Sequence, residues 1–215
     1  MKERYFEPDT IQELSNEWLE TYGKPNKNLN QPFDIHQAGL LILDMQEYFL
    51  DKNSHAFVPS GLDVLTKLNN IAEKFRIAGR PVIATQHINS IENAAMMKSW
   101  WSDIITESHP LANLHPELNI QPEEVLKKSQ YDAFYESDLA SVLAMKGVHQ
   151  LVIGGVMTHL CCETTARSAF VMGLEVFFLV DGTATYNRDY HQGTLRNLAH
   201  GVAVLSTTDQ LINVK

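Results

Sequence analysis

The sequence predicts an α/β fold, namely a doubly wound, mainly parallel, six-stranded sheet with helices on both faces. Six short apolar runs alternate with longer amphipathic stretches. Runs that are apolar throughout suit strands buried on both sides, and helices between them make right-handed parallel crossovers the expected connections. A length of 215 residues, 44% of them hydrophobic, is sufficient for one sizeable core. We therefore expect a Rossmann-like, three-layer arrangement.

The first predicted element is an N-terminal helix over residues 9–22. Apolar residues recur there at helical spacing after a polar cap, and a polar loop follows at 23–28. We interpret residues 1–33 as an N-terminal helical arm and residues 34–215 as the main domain. Helical patterns separate the predicted strands, which are 38–43, 81–85, 124–126, 149–153, 175–180 and 202–205.

The composition favours a small molecule as partner. A formal net charge of -9, without clustered Lys and Arg, is unsuited to neutralising the phosphates of a nucleic acid. The chain has no apolar run near the ~20 residues of a membrane span, and its start is polar. We therefore expect a cytoplasmic protein without nucleic-acid or membrane partners. Its two cysteines are adjacent, so reduced thiols are expected.

Charged residues follow two predicted strands, at the edge where open α/β sheets bind ligands. Asp44 comes directly after 38–43, and an ionised carboxylate there needs a partner. A helix cap or turn acid is the alternative for this residue. Lys127 and Lys128 follow 124–126, and one of them is expected to complement Asp44, although lysines after a short strand are more often solvated.

The third candidate lies in the segment GGVMTHLCCETTA at 154–166, where an apolar run breaks at glycines, turns and begins a helix. A helix N-terminus stabilises a thiolate, the reactive form of cysteine, and a developing oxyanion. Helical phase gives Cys162 a sheet-packing stripe with Ala166 and Phe170. Cys161 instead shares its side with polar residues. We therefore assign packing to Cys162 and nucleophilic attack to Cys161.

These candidates lie within motifs that resemble the isochorismatase-like cysteine hydrolases, a superfamily that includes nicotinamidases and carbamoylsarcosine amidases. The resemblance covers most of residues 38–206. The motifs are LDMQEYF at 43–49, KSQYDAF at 128–134 and GVMTHLC at 155–161, with Thr165 and Ala166 following. Because three motifs agree in order and spacing, the chain is identified as a member of this superfamily.

The resemblance implies a role for each candidate. Asp44 would be the general base for the thiol of Cys161, and Lys128 would hold the pair in register and favour its charged states. Cys161 would attack a carbonyl carbon, and the backbone N–H groups of Cys161 and Met157 would bind the oxyanion. The Val156–Met157 peptide is typically cis in this family. Ammonia or an amine would leave, and water would hydrolyse the thioester without any cofactor.

The same resemblance keeps other functions open. True isochorismatases cleave a vinyl ether by acid catalysis and commonly carry glycine where Cys161 stands, so the retained cysteine favours acyl transfer. The overall pattern is nevertheless closer to the isochorismatase branch than to nicotinamidases. Vinyl-ether hydrolysis through Asp44, without a covalent intermediate, is therefore the alternative. A non-catalytic scaffold assembled through the N-terminal arm is a second one. Family members are commonly dimers or larger, so we expect a homo-oligomer.

The pocket and metal predictions also follow from the resemblance. Zinc-binding nicotinamidases use an Asp-x-His pair, which the pocket-forming segments here lack, so no metal is predicted. His87 is expected to hydrogen-bond to substrate or to be structural. Tyr186 and Asn187 are weaker candidates, and Asp181 is interpreted as a strand-end cap. The predicted substrate-binding residues are Phe49, His87, Trp101, Tyr131, Phe134 and Met157.

Overall fold

The computed structural model describes residues 1–23, 32–101 and 103–213. Its strands are β1 (Ala38–Leu43), β2 (Val82–His87), β3 (Val125–Lys128), β4 (Gln150–Val156), β5 (Glu175–Ala184) and β6 (Ala203–Ser206). They form one parallel sheet in the order β3-β2-β1-β4-β5-β6. This order confirms the predicted doubly wound fold.

Helices connect the strands and cover the sheet. Every residue of β1 and β4 is buried, as expected for strands between two helical layers. Among the described residues, no helix combines the length and apolarity needed to cross a membrane. A π-helical turn (Thr158–Cys162) precedes α6. The α-helices are α1 (Ile11–Tyr22), α2 (Glu47–Leu50), α3 (Leu65–Ile77), α4 (Met97–Trp100), α5 (Leu139–Met145), α6 (Glu163–Val171), α7 (Arg188–Gly201) and α8 (Thr208–Ile212).

Strands β4 and β5 are longer than predicted. The apolar patterns stop at 153 and 180, but β4 continues through Gly155, which pairs with Thr183 of β5. Asp181 therefore lies inside β5, and its assignment as a strand-end cap is wrong. Its carboxylate instead accepts hydrogen bonds of 2.8 Å from both the N–H and the hydroxyl of Thr208, at the start of α8.

The carboxyl ends of β3, β2, β1 and β4 lie side by side. Lys128 pairs in register with His87, and Leu43 pairs with Gly155. Because β1 lies between β2 and β4, the strand order reverses there, and such switch points are where ligands bind in this fold class. Asp44, directly after β1, is thus placed at the switch point.

The N-terminal residues share the hydrophobic core of the sheet. Trp18 of α1 is 1% exposed, and α1 contacts β5 and α7. Most of the predicted loop at 23–28 falls within 24–31, outside the described residues. The predicted division between an arm and a main domain after residue 33 stays a prediction.

A buried histidine joins the N-terminal segment to α7. His191 is fully buried against Phe6 and Trp18, and its Nδ1 lies 2.8 Å from the Tyr5 hydroxyl. Burial lowers the pKa of His191 to about 3, so the unfolded chain, with a pKa near 6.5, binds this proton more tightly. We expect the free energy of unfolding to fall as the pH drops below about 6.5, by up to about 1.4 kcal/mol per pH unit from this group.

Urea unfolding at a series of pH values measures this dependence. The His191→Leu variant removes the titrating group but keeps an apolar side chain, so its stability should fall less steeply below about pH 6.5 than that of the wild type. Some slope should persist, because burial also lowers the pKa of His87 and of His159 to about 4. Equal slopes in the two proteins would show that His191 does not contribute.

Candidate active site

Asp44 is held by side chains from two neighbouring strands. It is fully buried, with a φ of 50°. The Thr85 hydroxyl of β2 donates to Asp44 Oδ1 at 2.6 Å and accepts from the Asp44 N–H at 3.2 Å. Lys128 Nζ of β3 lies 2.8 Å from Oδ2. One carboxylate oxygen is thus fixed by a hydroxyl group and the other by a cation.

Gly155 allows β4 to approach the end of β1. Its φ is +106°, and a Cβ there would lie 2.1 Å from the carbonyl oxygen of Leu43, the residue before Asp44. We expect Gly155→Ala to lower the free energy of unfolding by about 3 kcal/mol or more. Displacement of Leu43 should also reduce hydrolytic activity, because the carboxylate moves with it. Chemical denaturation and an activity assay measure the two effects.

Gly193→Ala is the matched control. Gly193 lies in the interior of α7, and a Cβ there has no neighbour within 4 Å. Alanine should therefore stabilise the protein by roughly 0.5–1 kcal/mol through its helix propensity, without changing activity. A loss of stability of similar size in both variants would contradict the role of Gly155.

Lys128 lies at the centre of the cluster, with its side chain 0% exposed. Besides Asp44, its Nζ lies 2.8 Å from the carbonyl oxygen of Gln130, 3.3 Å from His87 Nδ1 and 3.5 Å from Cys161 Sγ. Burial alone would lower the pKa of Lys128, but the charge of Asp44, together with the contact to Cys161, outweighs it and leaves the pKa raised. The ammonium is thus kept charged in a buried site.

The two free cysteines occupy different environments. Cys161, in the π-helical turn, lines a pocket, whereas Cys162 belongs to the hydrophobic core. This placement agrees with the sides of the helix that helical phase predicts for the two residues. Phe170, however, is 52% exposed, so its assignment to the packing stripe is wrong. It stands roughly 80° around the helix from Cys162, at the margin of the stripe.

The resting thiol of Cys161 is neutral. Burial raises the pKa of the Cys161 thiol well above its usual range, and the charge of Lys128 offsets only part of that rise. A nucleophilic thiolate therefore needs a base at the moment of attack. The nearby Asp44 carboxylate also raises the pKa of this thiol and is the candidate for that base.

A pocket opens over Cys161. Its walls are mainly aromatic and apolar, as is usual for sites that bind small molecules. The cis peptide bond between Val156 and Met157 lies at the end of β4, and Met157 forms part of the wall. The lining residues are Tyr48, Phe49, His55, Ala56, His87, Asn89, Met97, Trp101, Asp103, Ile104, Ile105, Tyr131, Met157, Cys161 and Tyr186.

Most of the predicted pocket residues lie in this wall. Trp101 donates its indole N–H to the Tyr131 hydroxyl at 2.7 Å, which joins the two rings into one surface. Phe134 is not among the lining residues and is 8% exposed in the core, so its part in substrate binding stays a prediction. The N–H of Ala133, the residue before it, bonds to Thr165 Oγ1 of α6 at 3.0 Å. Of the two weaker candidates, Tyr186 lines the pocket and Asn187 caps α7.

His87 lines the pocket, but both of its ring nitrogens have protein partners. Nδ1 faces Lys128, and Nε2 lies 2.8 Å from Asn89 Oδ1. Neither ring nitrogen is therefore left free for the hydrogen bond to a substrate that the sequence predicted. Sequence reasoning missed Thr85 and Asn89. Each is two residues from His87, and side chains two residues apart lie on the same face of a strand. This spacing could have indicated that they lie beside His87.

The outer wall carries a carboxylate. Asp103 accepts a hydrogen bond from the Tyr48 hydroxyl, and its Oδ1 lies 2.8 Å from His55 Nε2. Burial alone would raise the pKa of Asp103, but these two hydrogen bonds outweigh it and leave the pKa lowered. Among the described residues that line the pocket, none is Lys or Arg.

The residues in ranges 1–23, 32–101 and 103–213 contain no group of three or more His, Cys, Asp and Glu side chains that could hold a metal ion.

Comparisons with known proteins identify the family. The isochorismatase domain model matches residues 38–210. Nicotinamidase 3 of Arabidopsis thaliana is 38% identical over 179 residues, which cover 81% of this chain and 86% of that protein. Enterobactin synthase component B of Escherichia coli is 29% identical over 196 residues, which cover 90% and 68%. A solved cysteine hydrolase from Pseudomonas syringae pv. phaseolicola shares the fold, with a TM-score of 0.82 at 22% identity over 88% of this chain and 97% of that one.

These identities correct one expectation. The chain is more similar to this nicotinamidase than to enterobactin synthase component B, although its local pattern pointed to the isochorismatase branch. The motif at 43–49 is a few residues long, whereas the identity is measured over most of the chain. The matched residues, 38–210, contain Asp44, Lys128 and Cys161. The chain belongs to the isochorismatase family and is a hydrolase.

Proposed function

We propose that this hydrolase cleaves the C–N bond of a small, uncharged amide through a thioester on Cys161. The observation that carries the proposal is the convergence of Asp44, Lys128 and Cys161 below an aromatic pocket that lacks a cation among its described lining residues. A thiol beside a buried ammonium that is itself paired with a carboxylate is suited to covalent catalysis.

The first half of the reaction forms the acyl-enzyme. The Asp44 carboxylate takes the thiol proton as the Cys161 sulfur attacks the carbonyl carbon, and the ammonium of Lys128 stabilises the thiolate. The backbone N–H groups of Met157 and Cys161 stabilise the oxyanion. The C–N bond then breaks, the proton held by Asp44 passes to the leaving nitrogen, and ammonia or an amine departs.

The second half regenerates the thiol. Asp44 takes a proton from a water molecule, whose oxygen attacks the thioester carbonyl. The C–S bond breaks, the carboxylic acid leaves, and Cys161 regains a proton from Asp44. The sum is one amide and one water converted into one acid and one amine, so neither a redox agent nor a nucleotide is consumed.

The pocket supports a neutral, flat substrate. Tyr131 and Trp101 present a joined aromatic surface on which a planar ring can stack. The charge of Asp103 in the pocket wall disfavours a dianion such as isochorismate, whose two carboxylates would find no Lys or Arg among the described lining residues. Nicotinamide, the neutral aromatic amide that gives the 38% identical relative its name, is therefore the first substrate to test.

The test is a rapid acid quench with nicotinamide, other small amides, ureides and isochorismate, followed by intact mass measurement and peptide mapping. The expected result is turnover of a neutral amide with a transient acyl group on Cys161. The Cys162→Ala variant should give the same adduct. Turnover of isochorismate without any adduct would overturn the proposal in favour of vinyl-ether hydrolysis.

We also propose that the protein is cytoplasmic and that it forms a homo-oligomer. The mass in solution, measured by light scattering on the full chain and on a chain lacking residues 1–30, tests the assembly. An unchanged oligomer after truncation would exclude an assembly role for the N-terminal residues.

A further inference from the structure

We propose that His87 is a positioning residue that holds the third N–H of Lys128 in the resting site and releases it to Cys161 when the thiolate forms. This inference deepens the proposed function and rests on it. An ammonium group has three N–H donors. Four acceptors surround this one, with Asp44 Oδ2 and the Gln130 carbonyl oxygen at 2.8 Å, His87 Nδ1 at 3.3 Å and Cys161 Sγ at 3.5 Å.

An ion pair with Asp44 and a hydrogen bond to the Gln130 carbonyl oxygen, both at 2.8 Å, hold the lysine, and the two longer contacts compete for its remaining N–H. A neutral imidazole nitrogen is a good acceptor, whereas the sulfur of a neutral thiol is a weak one. The third N–H therefore points to His87 while Cys161 is protonated. Once Asp44 takes the thiol proton, the negatively charged sulfur becomes the stronger acceptor. The same N–H then turns to Cys161 without a large movement of the lysine.

This exchange requires one tautomer of His87, and the neighbouring residues enforce it. Asn89 Nδ2 donates to the Ser129 carbonyl oxygen at 2.8 Å, so its Oδ1 must face the ring. His87 Nε2, 2.8 Å from that oxygen, accordingly carries the hydrogen, and Nδ1 is left as an acceptor. The backbone N–H of His87 donates to Gln46 Oε1 at 2.7 Å, which anchors the residue itself.

The burial of the ring and the charge of Lys128 favour the same neutral form, although the charge of Asp44 opposes it. The charged and titratable groups that face it are Lys128, Asp44 and Cys161, with Tyr131 in the same pocket wall. Burial and the charge of Lys128 lower the pKa of His87 to about 4. The ring therefore remains an acceptor at neutral pH.

The experiment changes the hydrogen-bond acceptor at residue 87 and its protonation in separate variants. All of them carry Cys162→Ala, so that Cys161 is the one cysteine that iodoacetamide can alkylate. His87→Leu removes the acceptor and His87→Gln supplies a neutral amide oxygen instead. Asn89→Asp places a carboxylate on Nε2, which favours the imidazolium and turns Nδ1 into a donor that repels Lys128. The readouts are kcat, KM and the rate of Cys161 alkylation by iodoacetamide, each as a function of pH.

His87→Leu should lower kcat and the alkylation rate about tenfold, with KM changed less than about threefold, and His87→Gln should restore most of both. Asn89→Asp should show a new loss of kcat and alkylation, of about tenfold, between about pH 7.5 and 5.5. The double variant His87→Gln with Asn89→Asp should lose that acid limb, because its residue 87 no longer titrates.

A purely structural role for His87 would give the Asn89→Asp variant the pH profile of the wild type, and this outcome would overturn the inference. Equal rates in His87→Leu and the wild type would do the same. Alkylation requires no substrate, so it tests His87 even if no amide is turned over. Failure of the amide screen alone therefore counts only against the proposed function.

Discussion

Replacing Cys161 by alanine is expected to abolish amide hydrolysis, with a fall in kcat of about 10³-fold or more, while the fold is retained. In the proposed mechanism the sulfur atom of Cys161, 3.5 Å from Lys128 Nζ, forms the covalent bond to the substrate. Alanine at this position leaves the charged pair 2.8 Å apart and removes only a small side chain. Steady-state assays measure the loss, and circular dichroism with urea unfolding verifies the fold.

The control for this variant is Cys162→Ala. Cys162 packs in the core and is 0% exposed, so its replacement should cost a little stability and leave kcat within a few fold. Iodoacetamide should correspondingly label Cys161 much faster than Cys162. Equal labelling of the two thiols, or activity retained in Cys161→Ala but lost in Asp44→Asn, would point to the vinyl-ether chemistry instead.

Replacing Lys128 by methionine is expected to lower the free energy of unfolding by about 3–5 kcal/mol, because it leaves the carboxylate of Asp44 buried without its counter-ion. Both side chains of this pair are 0% exposed, so water cannot take over the role of the ammonium. The variant should also be inactive, since nothing then stabilises the thiolate of Cys161.

A double-mutant cycle separates the charge effect from packing. Asp44→Asn combined with Lys128→Met removes both charges, and we expect it to be more stable than Lys128→Met alone by about 2 kcal/mol or more. This coupling free energy arises from the buried ion pair and not from a loss of side-chain volume. Additive losses in the two single variants would contradict a strong interaction between these side chains.

The strands could be predicted because their signal is local. The run at 38–43 is apolar throughout, and β1 occupies those residues. The ends of β4 and β5 could not be predicted in this way. Their final residues pair with each other across a register shift, and this pairing depends on segments some thirty residues apart in the sequence.

The residues of the candidate site could also be predicted from the sequence. Asp44 and Cys161 stand where an apolar run stops, and a helix start follows the cysteine. The local sequence did not determine which of the two lysines points into the site. Lys127 lies on the exposed side and pairs with Glu107 at 2.6 Å, whereas Lys128 points into the buried cluster. The register of β3 against β2 decides which of the two faces inward.

The sequence by itself determined the α/β class, the family and the three groups proposed for catalysis, because hydrophobic periodicity and side-chain chemistry are properties of short segments. Only the tertiary structure decided that His87 faces Lys128, that Phe134 packs in the core and that Asp103 lines the pocket. These facts depend on distances between residues on different strands and loops. Such distances are set by sheet register and packing, which no local pattern contains.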